Sequence, residues 1–274
     1  MAAKARIRAL NVYPVKSCRG IASESLRLAA TGFERDRHWL IVRPSGRFVT
    51  QRELPRMALI ATRLTASGLT LGAPAMPDLE IADHADGPAL AVVIWKDSCR
   101  AIDQGDAAAA WLTRYLGTAL RLVAFDARHE RASSPQWTQG VHAITQFADA
   151  FALLAISGAS LDDLNSRLAR PLPMERFRPN IVLDGLNPYD EDRIAELHGD
   201  SVCLRVVKPC TRCSITTTNQ ATGEVEGDEP LRTLKSYRYS KTLKGVVFGQ
   251  NTIVVEGAGR SLEVGDELDI IWRD

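Results

Sequence analysis

A chain of 274 residues with 45% hydrophobic and 24% charged residues can bury one large core or two smaller ones, and its composition is not that of a disordered or fibrous protein. The formal net charge of +1 gives no sign of a nucleic-acid polyanion as the main partner, although a local basic pocket survives such averaging. Five cysteines, an odd number, and an N-terminus without an apolar signal core predict a cytoplasmic protein, and the longest apolar runs, such as 151–156, are far too short to cross a membrane.

Short strands dominate the first part of the chain. Residues 7–13 alternate apolar and polar side chains until Pro14 ends the run. Residues 38–42 form a second strand, and Pro44-Ser45-Gly46 supplies the turn into a third over 47–50. The pattern continues at 59–64, 69–71 and 89–95, with 72–88, rich in proline, glycine and aspartate, read as loop. Four alanines with Trp111, Leu112 and Leu116 predict a helix over 107–115 capped by Asp106. A strand over 120–125 follows. The polar stretch 126–140 then reads as the connection between an N-terminal domain, 1–125, and a C-terminal domain, 126–274.

In the second domain, Ser160-Leu161-Asp162-Asp163 resembles a capping box, and Leu161, Leu164 and Leu168 line one face of the helix it would open. Strands are expected at 181–183, 202–207, 248–256 and 268–272, with a turn at 264–266. Many short strands and two helices predict a mainly β, α+β fold built on a β-barrel. The chain has no internal repeat and no glycine-rich phosphate loop.

The chemistry concentrates in Lys208-Pro209-Cys210-Thr211-Arg212-Cys213. Two cysteines stand three residues apart, with an arginine between them and a lysine upstream, and nearby cations favour the reactive thiolate. The β-branched run 215–218 reads as a strand, which would set Cys213 where a loop enters a sheet. Three other readings of the pair stay open at this level. One is half of a zinc site, which lacks its second half because Cys18, Cys99 and Cys203 are isolated and His198 has no histidine near it; the others are a redox dithiol and two inert buried cysteines. Trp39, Trp95, Trp111 and Trp272 fall in strand or helix patterns and read as core. His38 and His142 show no partner and read as ordinary core or surface histidines.

Several segments together resemble one family. Tyr13-Pro14-Val15-Lys16-Ser17-Cys18 and Arg35-Asp36-Arg37-His38-Trp39 resemble the N-terminal MOSC-associated domain. Leu161-Asp162-Asp163-Leu164-Asn165, Phe177-Arg178-Pro179-Asn180-Ile181-Val182 and Pro209-Cys210-Thr211-Arg212-Cys213 resemble the MOSC domain itself. Leu234-Lys235-Ser236-Tyr237-Arg238 and Phe248-Gly249-Gln250 complete a set that covers almost the whole chain in the right order. In architecture the chain is similar to the mitochondrial amidoxime-reducing component and to bacterial reductases of N-hydroxylated bases.

The resemblance implies a molybdenum–pterin cofactor, the pterin ending in a phosphate or a nucleotide, with Cys213 as a sulfur ligand of the metal. Soft thiolates suit such metals. Arginine forks and lysine charges suit the anionic pterin. The implied cradle comprises Lys16, Ser17, Arg37, Ser157, Arg178, Asn180, Thr211 and Arg212, with the role of Cys210 left open. The implied activity is the reduction of amidoximes, hydroxylamines or N-hydroxylated bases. Some bacterial relatives carry an added iron–sulfur domain; this chain ends at Arg273-Asp274 without such a cluster, so electrons are expected from a separate donor protein. The alternative is a sulfur-transfer or cofactor-carrier protein using a cysteine persulfide, although no pyridoxal-phosphate desulfurase region is present.

Overall fold

A computed structural model describes residues 3–83 and 87–273. Seven strands close into a barrel: β1 (Lys4–Val12), β2 (Leu153–Ser157), β3 (Ile181–Asp184), β4 (Ile194–Gly199), β5 (Val202–Thr211), β6 (Gly245–Glu256) and β7 (Glu267–Trp272). Around the barrel the order is β2-β3-β1-β7-β4-β5-β6, and pairing of β2 with β6 closes the ring. Only β2 and β3 run parallel. Their connection carries the helix Gly158–Ser166, as a parallel crossover requires.

Alternation decides which side chains fill the barrel. On β1, Ala5 and Ile7 point inward; a bulge between Ile7 and Ala9 shifts the phase, so Leu10 and Val12 take over. Leu183, Ile194, Leu197, Leu204, Leu268 and Ile270 complete that core, while Lys4, Arg6 and Arg8 face outward. Gly249 on β6 has a φ of +77°, and a Cβ there would lie 2.5 Å from Ile156 Cγ1. Glycine is the residue that tolerates both conditions.

A second body of sheet stands beside the barrel. Its strands Trp39–Val42, Arg121–Phe125, Asp97–Asp103 and Ala89–Ile94 pair in that order, and Ala61–Thr65, Gly68–Gly72 and Leu79–Ala82 form a meander. The helix Asp106–Leu116 lays Ala108, Trp111, Leu112 and Tyr115 into the core between them. With strands at 41% and helices at 18%, the fold is mainly β of the α+β kind, as expected.

The residues at 125 and 126 do not partition the sheets. Strand β1 pairs with β3 and β7, so the first strand of the chain is a stave of the C-terminal barrel. The connection 126–140 is tied to its surroundings. Arg131, 7% exposed, binds the Asp97 carboxylate and donates to the carbonyls of Gln146, Ala148 and Asp149.

Other local expectations shift. Residues 215–218 are not a strand; Ser214–Thr217 is a 3₁₀ turn, held where Thr216 Oγ1 donates to the Cys213 carbonyl at 3.0 Å and Thr217 Oγ1 to that of Ser214 at 2.8 Å. Those short hydroxyl bonds offer the backbone an alternative to a ladder. The second helix begins at Gly158, with Ser160 inside it, and the first is preceded by Gly105 rather than capped by Asp106. The stretch 72–88 contains the strand Leu79–Ala82, and its residues 84–86 lie outside the described residues. Residues 47–50 make only isolated bridges, at Arg47 and Phe48. Pro55–Leu59 is a 3₁₀ turn, so the strand expected from 59 starts at Ala61.

Candidate functional site

One cleft lies between the barrel and the second sheet. It is lined by Lys16, Ser17, Arg37, Arg178, Asn180, Thr211, Arg212 and Cys213, together with Cys210. Eight of the nine residues implied by the resemblance therefore share one wall. Ser157 is the exception: it is fully buried at the end of β2, its amide donating to Glu191 Oε1 at 3.2 Å and its hydroxyl without a partner.

Tyr13 organises the cations. Its ring lies 4.3 Å from the guanidinium carbon of Arg37 and 4.3 Å from that of Arg178, while its hydroxyl donates to the Pro179 carbonyl at 3.1 Å. Each guanidinium gains a cation–π contact, and both side chains are held in place. Burial pushes the Tyr13 phenol up to about 12, so it stays a neutral donor. Arg37 binds the buried carboxylate of Asp36 and donates to Asn180 Oδ1 at 2.9 Å. Arg178 donates to the Cys18 carbonyl at 2.7 Å. Burial, with repulsion from Arg37, pushes Arg178 down to about 10, which still leaves it charged at neutral pH.

The backbone is strained here. Ser17, Arg37, Arg178 and Trp95 all line the cleft with φ between +49° and +67°. Left-handed conformations cost energy for non-glycine residues and cluster where function over-determines them.

Arg212 follows β5 and reaches back. Nη1 lies 3.0 Å from Cys210 Sγ, Nη2 donates to the Phe177 carbonyl at 2.6 Å, and the buried Nε has no partner. Cys213 precedes the 3₁₀ turn in an extended conformation, half-buried, and its Sγ has no hydrogen bond among the described residues. Cys210 is likewise half-buried, packed beside the cluster of Phe177 and Phe248.

Two implied binding residues are engaged within the protein. Lys16 Nζ donates to the Phe147 carbonyl at 2.8 Å and to Asp149 Oδ1 at 2.7 Å. Asn180 donates to the Asn11 carbonyl and accepts from Arg37 and the Leu154 amide, clamping β1 to β3 beside the cleft. Desolvation works against the Asp149 carboxylate, but Lys16 and the Trp95 indole N–H at 3.0 Å hold it well below the usual carboxylate range.

Thr50, Arg52, Trp95 and Asp149 line the cleft as well, and the motif reasoning did not point to them. Trp95, expected in the core, is 49% exposed at the hairpin turn after Ala89–Ile94, with the Arg52 guanidinium 4.3 Å from its ring. The tight turn was the missed signal. Trp39 and Trp111 are buried as expected, and His38, outside the cleft, meets Gln146 Oε1 at 3.1 Å.

The charges do not cancel. Asp149 offsets Lys16 and Asp36 offsets Arg37, but among the described residues Arg52, Arg178 and Arg212 have no carboxylate partner. Three uncompensated guanidiniums, one with an orphaned N–H, fit an anion such as a phosphate; an unpartnered thiol beside them fits a soft metal. The donor set thus suits a molybdenum–pterin group.

Residues 4–119 match the MOSC N-terminal beta barrel domain, and residues 143–269 match the MOSC domain. The chain is 36% identical over 273 residues to human mitochondrial amidoxime reducing component 2, covering 94% of this chain and 81% of that protein. It is 35% identical over 276 residues to mouse mitochondrial amidoxime-reducing component 1, covering 96% and 81%. With the bovine component 2 it shares 33% over 277 residues, covering 94% and 80%. No described helix is long and apolar enough to cross a membrane.

Proposed function

The chain belongs to the MOSC family, with the family's N-terminal and MOSC domains in one polypeptide, and from that premise we propose that it is a molybdenum-cofactor-dependent reductase of N-hydroxylated compounds. The observation that carries the reading is the convergence of three uncompensated guanidiniums and an unpartnered half-buried thiol on one cleft. The relatives, amidoxime-reducing components by name, support the substrate class.

In this reading Cys213 is the protein's sulfur ligand to the metal. Arg178 and Arg212 hold the pterin phosphate, Arg37 stiffens Arg178 through their shared tyrosine, and Thr211 borders the site. Lys16 and Asn180 act by positioning: Lys16 holds the Asp149 loop, and Asn180 locks Arg37. When bound, the cofactor supplies the two-electron removal of oxygen from nitrogen. An amidoxime or hydroxylamine takes up two electrons and two protons and leaves as amidine or amine plus water. The electrons come from a separate donor protein. Five free cysteines suit a reducing compartment, and we place the chain in the cytoplasm.

The test is molybdenum and pterin content, with turnover of benzamidoxime by an artificial donor, in protein from a host that makes the cofactor. Near-stoichiometric metal with turnover, lost or altered in Cys213→Ala, is the expected result. Wild-type protein with neither metal nor pterin would overturn the reading. Persulfide sulfur without turnover would favour a carrier instead.

A further inference from the structure

Outside the cleft, a second set of metal-binding atoms meets on the outer wall of the barrel. His198 on β4 stands directly opposite Cys203 on β5 in the antiparallel register, and Glu196, two residues before His198, projects from the same face. In the sequence Cys203 is isolated and His198 has no histidine near it; the hairpin brings them together. Glu196 Oε2 lies 2.8 Å from His198 Nε2, Cys203 Sγ lies 3.7 Å from the same nitrogen, and the three donor atoms fall within 4.8 Å of one another.

We propose that Glu196, His198 and Cys203 form a divalent zinc site with one position open to water, separate from the cleft. The donor chemistry is that of zinc, which takes nitrogen, sulfur and carboxylate oxygen in tetrahedral array. With bonds of about 2.0 Å to nitrogen and about 2.3 Å to sulfur, tetrahedral geometry separates those two donors by roughly 3.5 Å, close to the separation found here. The carboxylate has to open from histidine by only about 0.5 Å to span its own edge. Arg205 binds the other carboxylate oxygen, Oε1, at 2.8 Å, which orients Glu196 so that Oε2 faces His198, where an ion would replace their direct hydrogen bond. Glu256, opposite Cys203 on β6, adds a negative charge that balances Arg205. The side chain of His198 is 40% exposed, so an ion has a path from solvent.

The experiment is Co²⁺ and Zn²⁺ titration of the full chain, read by the thiolate-to-cobalt charge-transfer band and by competition with a chromophoric chelator. The background variant is Cys210→Ser/Cys213→Ser, which removes the cleft thiols. One ion per chain is expected, with the band intact in that background, lost in Cys203→Ser, and zinc affinity at least tenfold weaker in His198→Ala. The exposed histidine can be removed without loss of core packing, so that variant separates binding from folding. A band that persists in Cys203→Ser, a band that disappears with the cleft thiols, or no binding at all would overturn the proposal. Glu196, His198 and Arg205 would then be an ion-pair network of the hairpin.

Discussion

Strand β5 carries a thiol near each end, and the two ends are charged oppositely. Cys203 lies beside Glu196 and Glu256, while Cys210 and the following Cys213 lie among Arg212, Arg178 and Arg52. Seven residue steps of extended chain separate Cys203 from Cys210, roughly 23 Å. Burial and the two glutamates push the Cys203 thiol up to about 11, which keeps it protonated in the absence of an ion. The same side chain is thus set beside carboxylates at one end of the strand and beside guanidiniums at the other.

The contrast is sharpest when each sulfur is removed. Cys213→Ala should reduce turnover to background yet change folding stability by no more than about 0.5 kcal/mol, since no hydrogen bond to its Sγ is lost. Cys203→Ser should leave turnover unchanged. Turnover retained in Cys213→Ala would erase the distinction between the ends. Alkylation at pH 8 gives the next largest effect. A thiol held near 11 has a thiolate fraction about two orders of magnitude below that of free cysteine, so mass spectrometry should find Cys203 unmodified while free cysteine reacts fully.

Arg212→Ala should weaken cofactor retention by about 10–100-fold, as expected for losing charge-assisted bonds, with Arg212→Lys recovering part of it. Equal retention in all three proteins would mean that the cationic end does not hold the anion through this fork. Asp149→Asn tests the acidic counterweight of that end. It leaves the buried Lys16 ammonium with only the Phe147 carbonyl; because Asp149 is largely exposed, the cost is discounted to about 1–2 kcal/mol. Asp149 is held below its unfolded value of about 3.9. Its stabilisation is therefore full above that pH and is lost as pH falls through the lower folded value. Acid denaturation should show a shallower stability loss below pH 4 in Asp149→Asn, and an unchanged slope would dissociate the pair from stability.

Local pattern revealed the elements, and distance in the chain hid their assembly. Alternation on 7–13 and the cluster of alanines at 107–115 identify a strand and a helix because each rests on neighbouring side chains. The fate of Lys16 was not legible, because Asp149 is 133 residues away. Asn180 lines the cleft as the motif implies, but its bonds to Asn11 on β1 and Leu154 on β2 were not legible, because those partners lie 169 and 26 residues away. Threonines at 216 and 217 carry strand propensity, but their hydroxyls bond back to carbonyls three residues earlier and close a turn. The pairing of His198 with Cys203 depends on the register of a hairpin that composition alone does not fix.

The position of β1 in the barrel governs how the protein must be born. Arg6 pairs with Asp184 and Lys4 with Asp269, gaps of 178 and 265 residues (184 − 6 and 269 − 4). At a synthesis rate of about 5–20 residues per second, β1 waits roughly 10–35 seconds for the first of these partners. During that interval only Leu10, Asn11 and Val12 have a ladder partner close in the chain, Ile21–Ser23, and residues 4–9 lack theirs; unpaired strand edges are where chains join one another. Lys4, Arg6 and Arg8 line its outward face, and like charges so placed disfavour the pairing of two such strands.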